Sequence, residues 1–286
     1  MDIDKLYNIF TTCGGKVATD SRKISGGELF FALKGENFDG NEYALKALEA
    51  GAAYAVVDKN SPVSAAAADE PRLIPVPDAI LALRALARCH RDRFAIPVLG
   101  LTGTNGKTTT KELINAVLSA KFRTHATCGN LNNNIGVPLT ILGMPADTEI
   151  AVIEMGASHP GDIKELVDIA APDFGLITNV GKGHLLGFGS FEGVKATKGE
   201  MYDFIAENGG GAETVFINQD NPLLVEMATS RGFVTMPVGC VFDRAAFPGR
   251  DCRKCASKKL LAVPYGLHFS GARVLESDAA HPYLRL

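Results

Sequence analysis

The chain has 286 residues, a length that favours two domains. Hydrophobic residues make up 46% of it, enough for ordinary globular cores, and the net charge of −3 gives no indication of nucleic-acid binding. No apolar run approaches the roughly 18 residues of a membrane helix, and the first residues lack the basic start and apolar block of a signal peptide. The six cysteines are therefore expected to be reduced thiols of a cytoplasmic protein rather than a disulfide framework.

Residues 1–82 predict a small α/β domain, in which short apolar runs alternate with segments of helical spacing. Gly51 is a stop signal for the first predicted helix, and Asp78 opens the second. The predicted elements are strands over 28–33 and 53–57 and helices over 41–50 and 79–93. We expect the helix over 79–93 to be the hinge between this domain and a second one.

The second predicted domain covers 83–286 and repeats a pattern of strand, loop and helix. The predicted strands are 96–101, 149–154, 174–179 and 214–218, and the predicted helices are 107–122, 161–170 and 191–207. This alternation predicts a doubly wound, mostly parallel sheet. Ligands of such sheets bind beyond the carboxyl ends of the strands, so polar residues at those ends are candidates for a site.

Thr102–Thr110 is the most informative segment, a glycine-rich turn between a predicted strand and a predicted helix. In such a turn, backbone N–H groups close around phosphate oxygens, and the helix N-terminus adds partial positive charge. Lys107 can reach the β- and γ-phosphates, and the Thr108 hydroxyl can ligate Mg²⁺. The segment predicts ATP binding, although Leu101 occupies the first glycine position of the usual G-x-x-x-x-G-K-[ST] motif.

Three more residues are candidates whose local sequence leaves a structural and a functional interpretation open. Glu154 ends an apolar strand and could either ligate Mg²⁺ or cap the helix that follows. His184 follows a glycine turn, where histidines are usually structural or solvated. Lys198 lies within the helix predicted over 191–207, where a lone lysine is normally part of a solvated face. Spacing alone selects neither His184 nor Lys198.

Four blocks in combination resemble the Mur ligase family, the cytoplasmic amide-forming enzymes of bacterial peptidoglycan synthesis. The blocks are 102–112, 129–138, 154–163 and 179–190. Nearer the N-terminus, 19–22, 29–35 and 39–40 are similar to the UDP-sugar domain of that family. The resemblance covers about residues 15–235 and is strongest to the member that adds D-alanyl-D-alanine.

The resemblance implies roles for the positions that match. ATP would be held by Lys107 with Gly103, Thr104, Asn105, Gly106, Thr108 and Thr109, and its adenine would lie near Asn218 and Asp220. One Mg²⁺ would be ligated by Thr108 and Glu154, and a second by Glu154 and His184 with a carbamylated Lys198. Substrate would face Asp20, Ser21, Arg22, Lys34 and Gly35 at the uridine diphosphate end, and Asn133 and Asn134 elsewhere. The implied catalytic set is Lys107, Glu154, His184 and Lys198.

The implied reaction is ATP-dependent amide formation. The carboxylate of UDP-N-acetylmuramoyl-tripeptide would attack the γ-phosphate, giving an acyl phosphate and ADP, and the amine of D-alanyl-D-alanine would then displace phosphate. Two alternatives stay open: a sister or folylpolyglutamate-synthase-like ligase that adds a single amino acid, and a nucleotide- and UDP-sugar-binding module without turnover. A monomer without nucleic-acid or membrane partners is the default expectation.

Two features depart from the family pattern. The family has a third, Rossmann-like domain, and no segment of the 286 residues matches it, so we expect an incomplete central domain and little turnover by this chain alone. Residues 237–262 show neither helix nor strand periodicity. They are interpreted as a surface insertion, an error in the source sequence, or a metal site formed by Cys240, Cys252, Cys255 and His268.

Overall fold

The computed structural model describes residues 2–35, 37–209 and 214–233. The chain divides into two compact units. The first takes in Met1–Ile96, Lys111–Met155 and Glu165–Ala171, and the second takes in Pro97–Thr110, Gly156–Lys164 and the described residues from Pro172 onward. The domain boundary predicted at residues 82 and 83 stays a prediction. The interpretations of 237–262 and of His268 concern positions outside the described residues.

The elements of the described residues are mostly short. The strands are β1 (Val17–Ala18), β2 (Leu29–Phe31), β3 (Tyr54–Asp58), β4 (Leu73–Val76), β5 (Val98–Thr102), β6 (Thr124–Ala126), β7 (Ile150–Glu154), β8 (Phe174–Ile177) and β9 (Val215–Phe216). The α-helices are α1 (Ile3–Thr12), α2 (Ala44–Glu49), α3 (Ala79–Arg91), α4 (Lys107–Ser119), α5 (Gly136–Leu142), α6 (Asp162–Ala170), α7 (Leu185–Phe188), α8 (Phe191–Glu207) and α9 (Pro222–Thr229). Tighter 3-10 turns cover Ser21–Lys23, Gly40–Tyr43 and Pro62–Ala68. Within this described part of the chain, none of the helices has the length and apolarity needed to cross a membrane.

The first unit contains a parallel sheet with the strand order β1-β2-β3-β4. Leu29 of β2 pairs with Tyr54 of β3. β2 and the centre of β3 are buried, because a parallel sheet is covered on both faces and its strands become continuous apolar runs. Helix α2 contributes Ala44, Ala47 and Leu48 to the core on this sheet.

Helix α3 begins at Ala79, as the sequence predicts. The Asp78 carboxylate accepts the N–H of Leu81 at 2.9 Å and thereby caps the helix. Its buried face, which includes Leu83 and Leu86, packs in the region of α1 and α5. The hinge role of this helix stays a prediction.

The second sheet has five strands in the order β6-β7-β5-β8-β9. The pairs β6–β7, β5–β8 and β8–β9 run parallel. The chain leaves β5 toward one edge of the sheet and later returns to the other side with β8. β5 is therefore the topological switch point, where ligands bind in doubly wound sheets. The α/β class with parallel sheets is confirmed.

One helix and one strand near the glycine-rich segment end a few residues before their predicted C-terminal ends. The helix predicted over 107–122 closes in tight turns after α4. The strand predicted over 174–179 stops with β8, because the Thr178 hydroxyl turns away to donate to the Asn105 carbonyl at 2.7 Å. The segment after β8 contacts the glycine-rich loop.

The sequence analysis predicts most of the longer elements and misses most of the shorter ones; an exception is α1, a ten-residue helix that it does not predict. The helix predicted over 191–207 coincides with α8, whereas the helix over 41–50 divides into the Gly40–Tyr43 turn and α2, and the strand over 214–218 contracts to β9. Periodicity does not predict α1, β1, β4, β6, α5, α7 or α9. β1 and β6 have two or three residues, and α5, α7 and α9 have one or two turns, which is too few residues to show a period.

Candidate nucleotide-binding site

The glycine-rich loop joins β5 to α4. Leu101, which occupies the first glycine position of the usual motif, is fully buried inside β5. The turn begins only at Gly103, whose φ of 148° lies in the region that favours glycine. A Cβ atom at Gly103 would overlap the Thr178 hydroxyl. The motif departs from the usual pattern because its first position is still part of the strand.

Lys107 is the first residue of α4, and its side chain folds back across the loop. Its Nζ donates to the carbonyl oxygens of Gly103 at 2.9 Å and of Thr104 at 3.3 Å. Gly106 turns the chain into the helix with a φ of 76°, and Thr108 follows in the first helical turn. The lysine and the helix N-terminus thus lie at the same end of α4, an arrangement suited to phosphate oxygens. The other predicted loop residues are Asn105 and Thr109.

Lys198 is a buried residue of α8, only 2% exposed, and so does not belong to a solvated helix face. Burial, and then the positive charge of Lys107, lower the pKa of Lys198 to about 8. The carboxylates of Asp162 and Glu200 act in the opposite direction. The Nζ lies 5.9 Å from the centroid of the Phe188 ring. The fold therefore brings Lys198 and Lys107 into electrostatic contact.

Glu154 is the last residue of β7 and is fully buried. Its Oε1 accepts a hydrogen bond from Asn132 Nδ2 at 2.7 Å, and its backbone N–H donates to Thr127 Oγ1 at 2.9 Å. These contacts fix both the backbone and the carboxylate of Glu154 at the carboxyl end of its strand.

Two other carboxylates bond the N–H groups around the start of α6. Asp162 Oδ2 accepts the N–H of Ser158 at 2.7 Å, and Glu200 accepts the N–H of Lys164 at 2.8 Å. Asp162 and Glu200 therefore bond the start of α6, the capping role that the sequence left possible for Glu154.

The asparagines ahead of α5 have different partners. Asn133 Oδ1 accepts the N–H of Gly136 at 2.8 Å and so caps the start of α5. Asn134 is exposed. Asn132, which the sequence analysis does not select, is the residue that bonds Glu154. Within a run of three asparagines, nothing local distinguishes the one whose side chain faces the carboxylate.

His184 lies at the N-terminus of α7 and is exposed. Its φ of 53° and ψ of 34° place it in the left-handed region, which few residues other than glycine adopt. The next turn is crowded, because a Cβ atom at Gly187 would overlap the Ser158 carbonyl. The conformation of His184 is therefore set by a tightly constrained loop.

The residues predicted to face uridine diphosphate lie in two turns of the first unit. Asp20 caps the Ser21–Lys23 turn and forms a two-pronged ion pair with Arg22, with Nε–Oδ1 and Nη2–Oδ2 distances of 2.8 Å. Hydrogen bonds from the Arg22 side chain and backbone lower the pKa of Asp20 to about 2. Lys34 forms an antiparallel bridge with Asp39.

Gly35 lies in the same turn as Lys34, against the ring of Phe38. Its N–H donates to the Phe38 carbonyl at 2.9 Å, and a Cβ atom at Gly35 would lie 2.5 Å from that ring. A side chain at position 35 would therefore require the exposed Phe38 ring to move.

Asn218 and Asp220, predicted to lie near the adenine, form an exposed turn ahead of α9. Asn218 Oδ1 accepts the N–H of Asp220 at 3.1 Å, and Asn221 caps the helix. This turn organises the backbone, and its relation to adenine stays a prediction.

Among the described residues, no three histidine, cysteine or acidic side chains converge as a preformed metal site. Cys13, Cys89 and Cys128 are free thiols. The cysteines of the suggested metal site, Cys240, Cys252 and Cys255, lie outside the described residues.

Two family profiles match the chain. The Mur ligase middle domain matches residues 101–241, and the profile described as Mur ligase family, catalytic domain, matches residues 16–91. The chain belongs to the Mur ligase family. The glycine-rich loop, Glu154, His184 and Lys198 of this Mur ligase chain all fall within the middle-domain match.

Named relatives are similar to this Mur ligase chain over about three quarters of its length. It is 44% identical over 208 residues to the UDP-N-acetylmuramoyl-tripeptide--D-alanyl-D-alanine ligase of Bacillus subtilis (strain 168), a match that covers 73% of this chain and 44% of that protein. The enzyme of the same name from Escherichia coli (strain K12) is 42% identical over 205 residues, covering 72% and 43%. The chain thus spans less than half the length of these relatives.

Solved structures agree with the fold. A crystal structure of MurF from Acinetobacter baumannii superimposes with a TM-score of 0.66 at 34% identity, covering 75% of this chain and 46% of that one. MurF ligase from Thermotoga maritima, solved in complex with ADP, has a TM-score of 0.59 at 37% identity, covering 66% and 43%.

Proposed function

We propose that this Mur ligase chain carries the ATP- and UDP-substrate-binding parts of an ADP-forming ligase that adds D-alanyl-D-alanine to UDP-N-acetylmuramoyl-tripeptide, in the cytoplasmic synthesis of peptidoglycan precursors. One observation carries the proposal: the glycine-rich loop at the switch point of the sheet, with Lys107 folded across it and the desolvated Lys198 beside it. The names of the similar enzymes supply the substrates.

The proposed reaction has two steps. The terminal carboxylate of the tripeptide attacks the γ-phosphate of ATP, which forms an acyl phosphate and releases ADP. The amine of D-alanyl-D-alanine then attacks the acyl carbon, and phosphate leaves. Phosphoryl transfer depends on positioning and on neutralising negative charge, so Lys107 and the loop from Gly103 to Thr109 are proposed to hold the phosphates. Within this loop the N–H groups of Thr104 and Asn105 donate to Asn179 and shape the loop.

Thr108, Glu154, His184 and Lys198 are proposed to hold Mg²⁺, which when bound would neutralise charge on the β- and γ-phosphates. The chemistry of these residues fits the group, because Mg²⁺ prefers oxygen ligands and Glu154 offers a buried carboxylate held in place by Asn132. His184 supplies an imidazole from the constrained loop before α7.

Carbamylation of Lys198 is part of this proposal. A lysine reacts with carbon dioxide only as the neutral amine, and the lowered pKa of about 8 makes that form accessible near neutral pH. The modification would replace a repelling positive charge beside Lys107 with an attracting negative one. The electrostatic environment of Lys198 therefore favours the modified side chain.

The remaining residues are proposed to select the substrates. Arg22 and Lys34 carry exposed positive charges, on turns shaped by Asp20 and Gly35, that suit the diphosphate of the UDP-sugar. The other proposed substrate residues are Ser21, Asn133 and Asn134, and the proposed adenine neighbours are Asn218 and Asp220.

The experiment follows ADP release by the 286-residue chain over long incubations, with ATP and matched pairs of substrates. The pairs are D-alanyl-D-alanine with UDP-N-acetylmuramoyl-tripeptide, diaminopimelate with the dipeptide precursor, and glutamate with a folate acceptor. We expect stimulation by the first pair alone. Stimulation only by a single amino acid would contradict the proposal and favour a sister ligase.

A second candidate function is a nucleotide- and UDP-sugar-binding module without turnover. This candidate is kept because the alignment with the Bacillus subtilis enzyme covers 44% of the length of that enzyme. Binding of ATP and UDP-sugar without ADP release in any pairing would support the module.

A further inference from the structure

The segment that follows β8 holds the peptide of Asn105, in the middle of the glycine-rich loop. Asn179 Oδ1 accepts the Asn105 N–H at 3.1 Å, and Asn179 Nδ2 donates to the Asn105 carbonyl at 2.9 Å. The Thr178 hydroxyl donates to the same carbonyl at 2.7 Å. The side-chain amide of Asn179 therefore pairs with the backbone of Asn105 in the way that a neighbouring strand would.

The main chain of the same segment adds more bonds to the loop. The Thr104 N–H donates to the Asn179 carbonyl at 3.0 Å, and the Gly181 N–H donates to Thr104 Oγ1 at 2.9 Å. The contact is close, because a Cβ atom at Gly183 would lie 2.6 Å from Thr104 Cγ2. The loop and the segment over 178–183 can separate only if these bonds break.

A phosphate-binding loop presents N–H groups to its ligand, so its carbonyl groups must turn elsewhere and remain hydrogen-bonded. The carbonyls of Gly103 and Thr104 accept from Lys107 Nζ within the loop itself. The carbonyl of Asn105 is satisfied from outside the loop, by Asn179 and Thr178. The shape of the loop therefore depends on a residue that the nucleotide need not touch.

We propose that Asn179 is a positioning residue for phosphate binding, whose side-chain amide fixes the Asn105 peptide and keeps the loop in its ligand-binding shape. The inference rests on the proposed function, because ATP binding by this loop is itself a proposal. The segment continues to His184, so the same bonds also influence the position of that histidine relative to the loop.

The test measures binding of ATP and of pyrophosphate to the 286-residue chain by calorimetry, together with its unfolding temperature. Asn179→Ala removes both side-chain bonds to Asn105, and we expect about tenfold weaker binding of both ligands. Thr178→Val removes one bond and keeps the shape, and we expect a loss of about threefold. Asn208→Ala is the matched control, since its Nδ2 bonds the Phe204 carbonyl at the exposed end of α8, away from the glycine-rich loop, and binding should be unchanged.

The outcomes separate the inference from the function on which it rests. If the wild-type chain fails to bind ATP, the proposed function is contradicted, and so is the positioning role of Asn179 that rests on it. If the wild type binds and Asn179→Ala binds equally well, the positioning role is wrong while the function stands. A lower unfolding temperature with unchanged affinity would reduce Asn179 to a structural residue. If Asn179→Ala does not fold, Thr178→Val decides by the same criteria.

Discussion

Lys111 and Lys198 are both almost completely buried, but their surroundings lead to different chemistry. Lys111 Nζ donates to the Thr127 carbonyl at 2.6 Å and pairs with the Glu112 carboxylate at 2.8 Å, so its positive charge has a hydrogen-bond acceptor and a counter-ion. Lys198 has the like charge of Lys107 nearby, which adds to the effect of burial. An amine whose protonation is energetically unfavourable is available as a nucleophile. Lys198 is therefore the lysine suited to modification.

Carbamylation of Lys198 is tested with ¹³C-bicarbonate and carbon NMR of the folded chain. At a constant bicarbonate concentration, the carbamate signal should grow as the pH rises from about 7 toward the Lys198 pKa of about 8, because more of the amine is neutral. The signal should vanish in Lys198→Met. It should persist in Lys195→Met, because Lys195 lies on the same helix and pairs with Glu226 at 3.0 Å. A signal retained in Lys198→Met would place the carbamate elsewhere.

Glu28 gives the first unit a pH-dependent stability. Burial by itself would raise its pKa, but hydrogen bonds from the Ser25 hydroxyl and from the N–H groups of Gly26 and Ser25 outweigh burial and lower it to about 2. A carboxyl whose pKa is lower in the folded state stabilises the fold above its unfolded value, near 4.5, and loses that contribution as the pH falls toward 2.

We therefore expect Glu28→Gln to lose roughly 2 kcal/mol of unfolding free energy at pH 7. The difference from wild type should shrink toward zero as the pH approaches 2, because the wild-type carboxyl then becomes neutral as well. Urea denaturation of the wild type and the variant across this pH range measures the difference in unfolding free energy and its dependence on pH. A difference that stays constant with pH would show that the charge of Glu28 is not responsible.

At the scale of elements, helix α3 stabilises the end of α6 through an arginine. Arg91 is buried, and its guanidinium donates to the carbonyls of Ala170 at 3.0 Å, Ala171 at 2.9 Å and Phe94 at 2.8 Å. The carbonyls at a helix C-terminus lack partners within the helix and carry partial negative charge, so a fixed cation suits them. Ala171 has a φ of 41°, which marks the end of the helix.

Replacing this cap should destabilise the chain. Arg91→Met leaves buried carbonyls without a donor, and we expect a loss of roughly 2–3 kcal/mol in chemical denaturation. Arg88→Met is the control, because Arg88 is half-exposed and bonds a single carbonyl of α6, that of Asp168 at 2.7 Å. Its Nε pairs with the Asp92 carboxylate at 2.8 Å. Its loss should stay below about 1 kcal/mol. Equal losses from the two variants would contradict the capping role.

Gly40 begins the 3-10 turn ahead of α2. A glycine is favoured at this position for a steric reason. A Cβ atom there would overlap the Leu33 carbonyl oxygen and lie 2.8 Å from the Leu33 nitrogen. Both atoms are backbone, so no side-chain rotation relieves the clash. We expect Gly40→Ala to cost roughly 2 kcal/mol or more, measured as a shift in the urea midpoint. Gly143→Ala, whose Cβ would be 3.3 Å from its nearest neighbour, should cost far less.

At the scale of the whole molecule, we predict that ligand binding and turnover can be measured separately in this chain. It aligns with less than half of each MurF relative described above. We expect the 286-residue chain to bind ATP and a UDP-sugar but to release little ADP, with Lys107→Met abolishing ATP binding. Calorimetry and a coupled ADP assay measure the two properties, and full turnover by this chain would contradict the expectation.

Much of the fold was predictable because its signals are local. The glycine-rich turn between a strand and a helix lies where its sequence predicts, and the alternation of buried strands with helices correctly predicts a parallel sheet. α8 keeps its predicted bounds, and the Ser190 side chain caps its start. The two-residue β1 and β9 are too short to show any period.

The sequence by itself determined the family, the position of the glycine-rich loop and the order of the longer elements, because motif spacing and periodicity are properties of neighbouring residues. Only the tertiary structure decided that Lys198 is buried near Lys107, that Asn132 holds Glu154, and that Asn179 holds Asn105. Each of these contacts joins residues far apart in the chain. Their burial and hydrogen bonding arise only when the chain has folded, so no local pattern reveals them.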